Sequence, residues 1–361
     1  MALFIGIVGL PNVGKSTLFN ALTRGRAAAS NYPFCTVDPN IGMVAVPDPR
    51  LAQLEGILQP TSCTPTAIEF VDIAGLVRGA SQGEGLGNRF LSHVRQADAL
   101  VHVLRCFADP LVSHVEGHLD PLADRAVVEA ELMLADLEAV NKALMRLDKV
   151  VRTEPHGPQQ PEFDLLQRID AALQRGNPQW NTGLTPEELV LTRPLSLLTA
   201  KPVLYIGNVG EEGQGEDQVE RVRAAVGGDR VLALSAKLEA ELAQLEPEEG
   251  RIFRTELGLE SSGIEKLIVA GYQLLDLITF YTVANNKLQA WQLPRGASVA
   301  KAAGRIHSDM EKGFIRAEVA GAADLVAAGS LAHLREQGRL RTEGREYLVQ
   351  DGDVIHLLFR A

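Results

Sequence analysis

The sequence predicts an α/β fold, a mostly parallel sheet with covering helices, that carries an inserted helical arm and ends in a smaller α+β module. Three observations predict it. Short, continuous apolar runs at Leu3 to Val8, Ala67 to Val71, Ala99 to Leu104, Pro202 to Ile206 and Val231 to Leu234 read as strands buried on both faces, and helix-length stretches separate most of them. Between the third and fourth runs the apolar residues adopt a helical period. Past residue 278 the pattern turns to short strands without such helices between all of them.

A chain of 361 residues is longer than one core usually grows, so more than one domain is expected. The boundaries read as residues 1–120 with 198–277 for the sheet domain, 121–197 for the arm and 278–361 for the terminal module. With 46% hydrophobic and 22% charged residues the chain groups with globular proteins rather than disordered ones. A formal charge of -11 excludes a chain-wide polyanion binder and leaves only a regional basic surface for nucleic acid. Cys35, Cys63 and Cys106 are odd in number and lack metal-ligand spacing, which fits free thiols in a reducing compartment. The N-terminus lacks the features of a leader and no apolar run reaches membrane-spanning length, so a soluble, cytoplasmic chain without membrane contact is expected.

The first run stops at Gly9, and Gly9-Leu10-Pro11-Asn12-Val13-Gly14-Lys15-Ser16-Thr17 matches G-x-x-x-x-G-K-[ST] between a buried strand and a helix starting near Lys15. Glycines let backbone N–H groups converge on phosphate oxygens, and the helix N-terminus adds its positive end. Asn12, Val13, Gly14, Lys15, Ser16 and Thr17 are therefore candidate nucleotide ligands, with Lys15 reaching the β and γ phosphates and Ser16 holding Mg²⁺. The second run leads into Asp72-Ile73-Ala74-Gly75. An acid there suits Mg²⁺ held through water, and the Gly75 N–H suits the γ-phosphate. In the intervening loop, Asn31 to Thr36, Thr36 is the candidate to complete the metal shell.

From Pro121 to Arg152, Val127, Leu132, Leu134, Leu137, Leu144 and Leu147 mark a long amphipathic helix. After a Pro- and Gly-containing break near Glu154 to Pro161, Phe163 to Leu173 reads as a second helix, and the two form an antiparallel hairpin. Ser261 to Leu277 is a further helix. Strands follow at Phe280 to Val283, Lys287 to Trp291, Ile315 to Val319 and Val354 to Phe359. Residues 278–361 hold 11 Lys and Arg against 9 Asp and Glu, a mildly basic module on an acidic body. Lys301, Arg305, Lys312, Arg316, Arg339, Arg341 and Arg345 are either phosphate contacts for RNA or a solvated face.

At this point the chain resembles the Obg-related P-loop NTPases, and within them the YchF or Obg-like ATPase group, over its full length. The strings that carry the resemblance are Gly-Leu-Pro-Asn-Val-Gly-Lys-Ser-Thr-Leu-Phe-Asn at 9–20, Asn-Tyr-Pro-Phe-Cys-Thr-Val-Asp-Pro-Asn at 31–40, Asp-Ile-Ala-Gly-Leu-Val-Arg-Gly-Ala at 72–80, and Gly83-Glu84-Gly85-Leu86-Gly87-Asn88. The resemblance implies a G-domain-like sheet, a coiled-coil arm and a TGS-like terminal domain. It also implies a cytoplasmic, ribosome-associated nucleotide switch that prefers ATP.

GTPases of this class read guanine with Asn-Lys-x-Asp, whereas here the fourth run leads into Asn208-Val209-Gly210-Glu211. The flanking Lys is absent and the acid is one methylene longer, so Asn208, Val209 and Glu211 lean towards ATP, with Asn208 addressing a purine edge. Ser235 and Ala236, in Ser235-Ala236-Lys237, resemble the remaining base-side loop of GTPases and keep a GTP reading open. Where Ras-like proteins use Gln to orient the attacking water, this chain has Leu76, which cannot hydrogen-bond water. Three sources remain for that function: His114, where the resemblance places a family histidine; K⁺ held by Asn12; or a partner. Lys15, Gly75 and His114 form the candidate catalytic set. The expected function is a slow ATPase switch on the ribosome, with RNA contact through the arm or the terminal domain and no DNA partner. The alternatives are a GTPase translation factor, or an RNA- or protein-binding module in which nucleotide is regulatory.

Overall fold

The computed structural model describes residues 3–24, 40–73, 86–114, 117–178, 180–259 and 261–360. Thr36, Gly75 and Leu76 lie outside the described residues. Along the chain run β1 (Phe4–Val8), α1 (Lys15–Arg24), β2 (Ile41–Ala45), α2 (Pro49–Leu58), β3 (Ser62–Thr64), β4 (Ala67–Asp72), α3 (Leu86–Gln96) and β5 (Ala99–Arg105). Then follow α4 (Pro121–Thr153), α5 (Gln160–Gln174), α6 (Pro186–Thr192), β6 (Val203–Asn208), α7 (Glu216–Val226), β7 (Val231–Leu234), α8 (Ala236–Leu242), α9 (Pro247–Glu256) and α10 (Gly263–Leu274). The last part contains β8 (Leu277–Ala284), β9 (Lys287–Pro294), α11 (Val299–Ile306), α12 (Ser308–Lys312), β10 (Phe314–Gly321), α13 (Ala322–Ala328), α14 (Leu331–Glu336), β11 (Arg341–Glu343) and β12 (Asp353–Phe359).

The chain divides into two compact units: among the described residues, one holds those up to 24, 40–42 and 69–264, the other 43–68 and 265–360. The first sheet has the order β2-β4-β1-β5-β6-β7, and β4, β1, β5, β6 and β7 pair in parallel. All seven residues of β5 are buried, which explains why, apart from His102, its sequence is apolar until the final Arg105. Parallel register brings strand ends together: Ile7 lies beside Asp72, Val8 beside His102, and Arg105 beside Asn208. The loops that follow β1, β4, β5 and β6 therefore share one edge of the sheet, where open α/β sheets bind ligands.

Helix α4 has 33 residues, about 50 Å at 1.5 Å per residue, and packs against α5. Val140, Ala143 and Leu147 of α4 meet Leu165, Leu166 and Ile169 of α5, and Trp180 and Leu197 join the same cluster. The hairpin has thus a core of its own. At its root, the fully buried Asp136 accepts hydrogen bonds from Leu198 N–H (2.7 Å), Thr199 N–H (2.8 Å) and the Thr199 hydroxyl (2.7 Å). Three donors on one buried carboxylate compensate its desolvation and fix α4 against the turn that leads into β6.

In the second unit a mixed sheet has the order β11-β10-β12-β8-β9-β3. The β8–β9 and β10–β12 pairs are antiparallel, and the short β3 adds in parallel beside β9. Leu51 and Leu54 of α2 pack into the same core as Tyr281, Leu325 and Leu334. Arg50 bridges Asp48 (3.0 Å) and Asp351 (2.9 Å), and the Tyr281 hydroxyl donates to Asp48. Residues 43–68 are therefore part of the terminal module's fabric. Cys63 and Cys106 are unbridged. No helix among the described residues is long and apolar enough to cross a membrane.

His102, in the middle of β5, is buried, and its Nε2 has no hydrogen-bond partner among the described residues. Its ring lies 5.6 Å from that of Tyr205. Burial, with the positive charges of Arg125 and Lys15, pushes its pKa down to about 3. The folded state keeps this ring neutral, while the unfolded chain protonates it below an ordinary value near 6.5. Stability from this group is therefore complete above pH 6.5 and is lost as pH falls from there towards 3, at about 1.4 kcal/mol per pH unit. Between pH 6.5 and 5 the wild type should lose about 2 kcal/mol more in urea unfolding than His102→Phe. Equal slopes in the two proteins would remove His102 as the cause.

Candidate nucleotide and metal site

The loop after β1 is built from local backbone demands. Asn12 sits at φ 62° and Gly14 at φ 99°, both in the left-handed region. At Gly14 space is also exhausted, since a Cβ there would lie 2.2 Å from the Asn208 Nδ2. The Leu18 N–H donates to the Gly14 carbonyl at 2.9 Å, so α1 grows directly out of the loop and its first N–H groups face the sheet edge. Lys15 is buried and its Nζ donates to the Leu10 carbonyl at 2.7 Å. Burial holds the ammonium below the usual lysine range, with the nearby Asp72 charge offsetting part of that effect. A buried cation in a ring of N–H donors is an anion site.

Ser16 and Asp72, placed together only on metal-binding logic in the sequence, meet in the structure: Ser16 Oγ donates to Asp72 Oδ2 at 2.8 Å. The second carboxylate oxygen, Oδ1, is buried and has no hydrogen-bond partner among the described residues. A hydroxyl and a carboxylate with an uncompensated buried oxygen beside the phosphate loop form the oxygen donor set that Mg²⁺ takes. The residues present fit the ion. Ser16 and Asp72 would hold it, and Thr36 cannot be placed beside them because it lies outside the described residues.

Asn208 ends β6, and both ends of its buried amide are engaged. Nδ2 donates to the Val13 carbonyl at 2.9 Å, and Oδ1 accepts from the Ala236 N–H at 2.9 Å. Asn208 clamps the phosphate loop to the turn that starts α8, a role not read from the sequence, and the amide's second N–H and second lone pair stay chemically compatible with a purine contact. Ser235 caps α8, its hydroxyl accepting from Leu238 N–H at 3.4 Å. Glu211 is exposed and accepts from Lys237 Nζ at 2.6 Å. Gly14, Thr17, Val209, Glu211, Ser235 and Ala236 line a cleft of about 720 Å³ that also takes in Phe107, Asp109, Val112 and Lys237. That volume suits a nucleoside.

The wall made by residues 107–112 was not anticipated from the sequence. Its organiser is Arg105, buried at the end of β5, which donates to the carbonyls of Phe107 (3.1 Å), Asp109 (3.2 Å), Val112 (3.0 Å) and Ser113 (3.4 Å). Its guanidinium also lies 4.6 Å from the centre of the Phe107 ring. A lone charge at the end of a run that is apolar apart from His102 was the available signal. Asn12 reaches the same loop, its Nδ2 donating to the Ser113 carbonyl at 3.3 Å. The next residue, His114, lies with its Nε2 3.0 Å from Asp124 Oδ2. Phosphate loop, cleft wall and His114 are thus tied in one network.

A family model described as "50S ribosome-binding GTPase" matches residues 4–140, and the model YchF-GTPase_C, described as a protein of unknown function, matches residues 277–360. The Bacillus subtilis protein named "Ribosome-binding ATPase YchF" is 47% identical over 365 residues, covering 99% of this chain and 100% of that one. The Escherichia coli O157:H7 protein of the same name is 45% identical over 357 residues, 98% of each chain. The solved structure of the Schizosaccharomyces pombe YchF GTPase superimposes with a TM-score of 0.89 at 35% identity, covering 99% of this chain and 97% of that one.

Two predictions come from this geometry. Asn208→Ala leaves the Val13 carbonyl and the buried Ala236 N–H without their partner, so the urea midpoint should fall by the equivalent of about 2 kcal/mol and nucleotide affinity by roughly tenfold. An unchanged affinity would show that the clamp does not shape the site. Asp72→Asn should raise the Mg²⁺ concentration for half-maximal turnover by roughly tenfold while leaving metal-free nucleotide binding nearly unaltered. A titration curve superimposable on the wild type's would remove Asp72 from the metal site.

Proposed function

This chain belongs to the YchF family, and on that premise we propose a ribosome-associated ATPase that hydrolyses ATP slowly to ADP and phosphate and uses the nucleotide as a switch. Lys15 and the N–H groups from Asn12 to Thr17 bind the phosphates, Ser16, Asp72 and Thr36 would hold Mg²⁺, and the Gly75 N–H would meet the γ-phosphate. Held there, Mg²⁺ would supply neutralisation of the phosphate charge. The protein's own part is to bind, orient and shield.

The relatives' names differ on the nucleotide, so the base is argued from this chain. The observation that carries ATP is the Glu211–Lys237 pair. Guanine recognition needs a carboxylate free to accept two N–H groups from the base. Here the carboxylate at the corresponding turn is one methylene longer, exposed, and engaged by an ammonium at 2.6 Å. The retained Ser235-Ala236 turn, which resembles the base-side loop of GTPases, is what supports the second reading, a GTPase.

For the water, His114 is the proposed orienting group, since the loop that bears it is hydrogen-bonded to the phosphate loop through Asn12. Asn12 has a second route, because its Oδ1 is the atom that would take K⁺ beside the phosphates. The ribosome contact is assigned to the arm and the terminal module. In that module Arg339 pairs with Asp324 and Arg341 with Asp353 and Glu343. Lys301, Lys312 and Arg316 form no ion pair among the described residues, and they are the better candidates for RNA phosphates. A cytoplasmic location follows from a ribosomal partner.

The test is a side-by-side titration of ATP and GTP, with turnover measured with and without ribosomes and in K⁺ against Na⁺. ATP should bind roughly tenfold more tightly or better, a difference of about 1.4 kcal/mol. Ribosomes should raise turnover. Tighter GTP binding overturns the base assignment, and indifference to ribosomes across a range of salt overturns the switch.

A further inference from the structure

The loop of residues 107–113, which walls the nucleotide cleft, contains no helix or strand. One turn within it is set by local sequence. In Asp109-Pro110-Leu111-Val112 the Val112 N–H donates to the Asp109 carbonyl at 3.2 Å, the Asp109 side chain accepts from the Leu111 N–H at 2.8 Å, and Pro110 supplies the fixed φ that such a turn favours. These bonds shape the turn without attaching it to the sheet. Leu111 at its tip is 95% exposed, so apolar packing does not hold it there either.

Attachment comes from the guanidinium of Arg105, the last residue of β5. All three of its nitrogens donate into the loop: Nε to the Phe107 carbonyl, Nη1 to that of Ser113, and Nη2 to those of Asp109 and Val112. A planar fork of donors suits this task, because one rigid group fixes several carbonyls relative to one another. Phe107, Asp109 and Val112 line the cleft, whereas Arg105 is 4% exposed and lies outside the lining. In the parallel register it stands beside Asn208, so the fork is anchored in the buried part of the sheet. The phosphate loop has supports of its own, the Asn208 amide on the Val13 carbonyl and the start of α1 on the Gly14 carbonyl. Its tie to the wall is a side-chain bond, from Asn12 Nδ2 to the Ser113 carbonyl at 3.3 Å.

We infer that Arg105 is a positioning residue for nucleoside binding: its fork holds the 107–113 wall in the shape that receives the nucleoside before the ligand arrives. This inference rests on the reading of the cleft as the nucleoside half of the nucleotide site. Arg105 itself makes no bond to the ligand, and its influence passes through the loop backbone. Without the fork the ligand must order the wall as it binds, and that cost is subtracted from the affinity of anything that carries a nucleoside. A bare phosphate chain does not use the wall and escapes the cost.

The experiment compares ligands with and without a nucleoside on the full-length protein. Dissociation constants for ADP, GDP and pyrophosphate, each with Mg²⁺, are measured by calorimetry on the wild type, Arg105→Gln and Arg105→Lys, with folding checked by urea unfolding. These ligands share two phosphates and avoid turnover. Arg105→Gln should weaken ADP on the order of tenfold while pyrophosphate stays within about twofold. Arg105→Lys, which keeps the charge but donates from a single atom, should lose in the same pattern and by less. A purely structural Arg105 would weaken ADP and pyrophosphate by the same factor. Either that result, or an ADP affinity untouched in Arg105→Gln, overturns the inference while leaving the cleft in place. If the wild type binds neither ADP nor GDP more tightly than pyrophosphate, the reading of the cleft falls and the inference with it. Should Arg105→Gln not fold, the same comparison on Arg105→Lys decides: a loss confined to the nucleotides supports the inference, and equal losses overturn it.

Discussion

The buried amide of Asn208 is the constraint on which the site depends. It joins three parts of the chain that are far apart in sequence: the phosphate loop through Val13, the end of β6 in which it lies, and the start of α8 through Ala236. An amide can do this because it donates from one atom and accepts at the other, whereas Asp at the same place would have no donor for the Val13 carbonyl. The clamp also explains why Gly14 is the residue it is, since any Cβ would occupy the Nδ2 position. Phosphate side and base side are therefore not independently adjustable. A substitution in one moves the carbonyl or N–H that the other relies on.

A second set of polar contacts fixes the root of the arm. Asp136 binds the turn at Leu198 and Thr199, and Arg125 with Glu129 reaches Tyr205. These contacts are buried or half-buried, so each is protected from water and salt. Along the rest of α4 the ion pairs are different in kind: Lys142–Glu138 and Arg152–Asp148 are exposed, four residues apart on one helix, and worth only tenths of a kcal/mol. The distal hairpin is held by apolar burial around Ile169 and Trp180 instead. Specific geometry is thus concentrated where α4 meets the nucleotide domain.

The parts legible in the sequence are those whose causes are local or periodic. Glycine spacing in the phosphate loop reports backbone conformations that few residues adopt, and the continuous apolar runs report strands covered on both faces. The arm was legible because a 3.6-residue apolar period persists for many turns. Ser62–Thr64 carries no such signal: three residues have no period, and nothing in them says that they add to the sheet beside β9. Asn208 was legible as a site residue but its clamp was not, because an amide suits a purine edge as well as it suits two backbone groups. The ion pairs of Arg339 and Arg341 were not legible either, because their partners Asp324 and Asp353 lie elsewhere in the sequence. Arg105 and Asp124 meet loop carbonyls and an imidazole, contacts that only tertiary structure creates.

The two halves of the nucleotide site differ in the kind of interaction they use, and this separates affinity from selectivity. On the phosphate side Lys15 and Asn208 are almost fully buried, and the donors are backbone groups fixed by loop geometry. Interactions there act in a low effective dielectric and lose several kcal/mol when one member is removed. On the base side Glu211 and Lys237 are each more than 60% exposed, so their pairing is screened by solvent. Grip on any nucleoside triphosphate belongs to the first set. On the reading proposed above, choice between purines falls to the second. Changing Glu211 or Lys237 therefore removes only an exposed pair, whereas a change at Ala236 reaches the phosphate loop through Asn208.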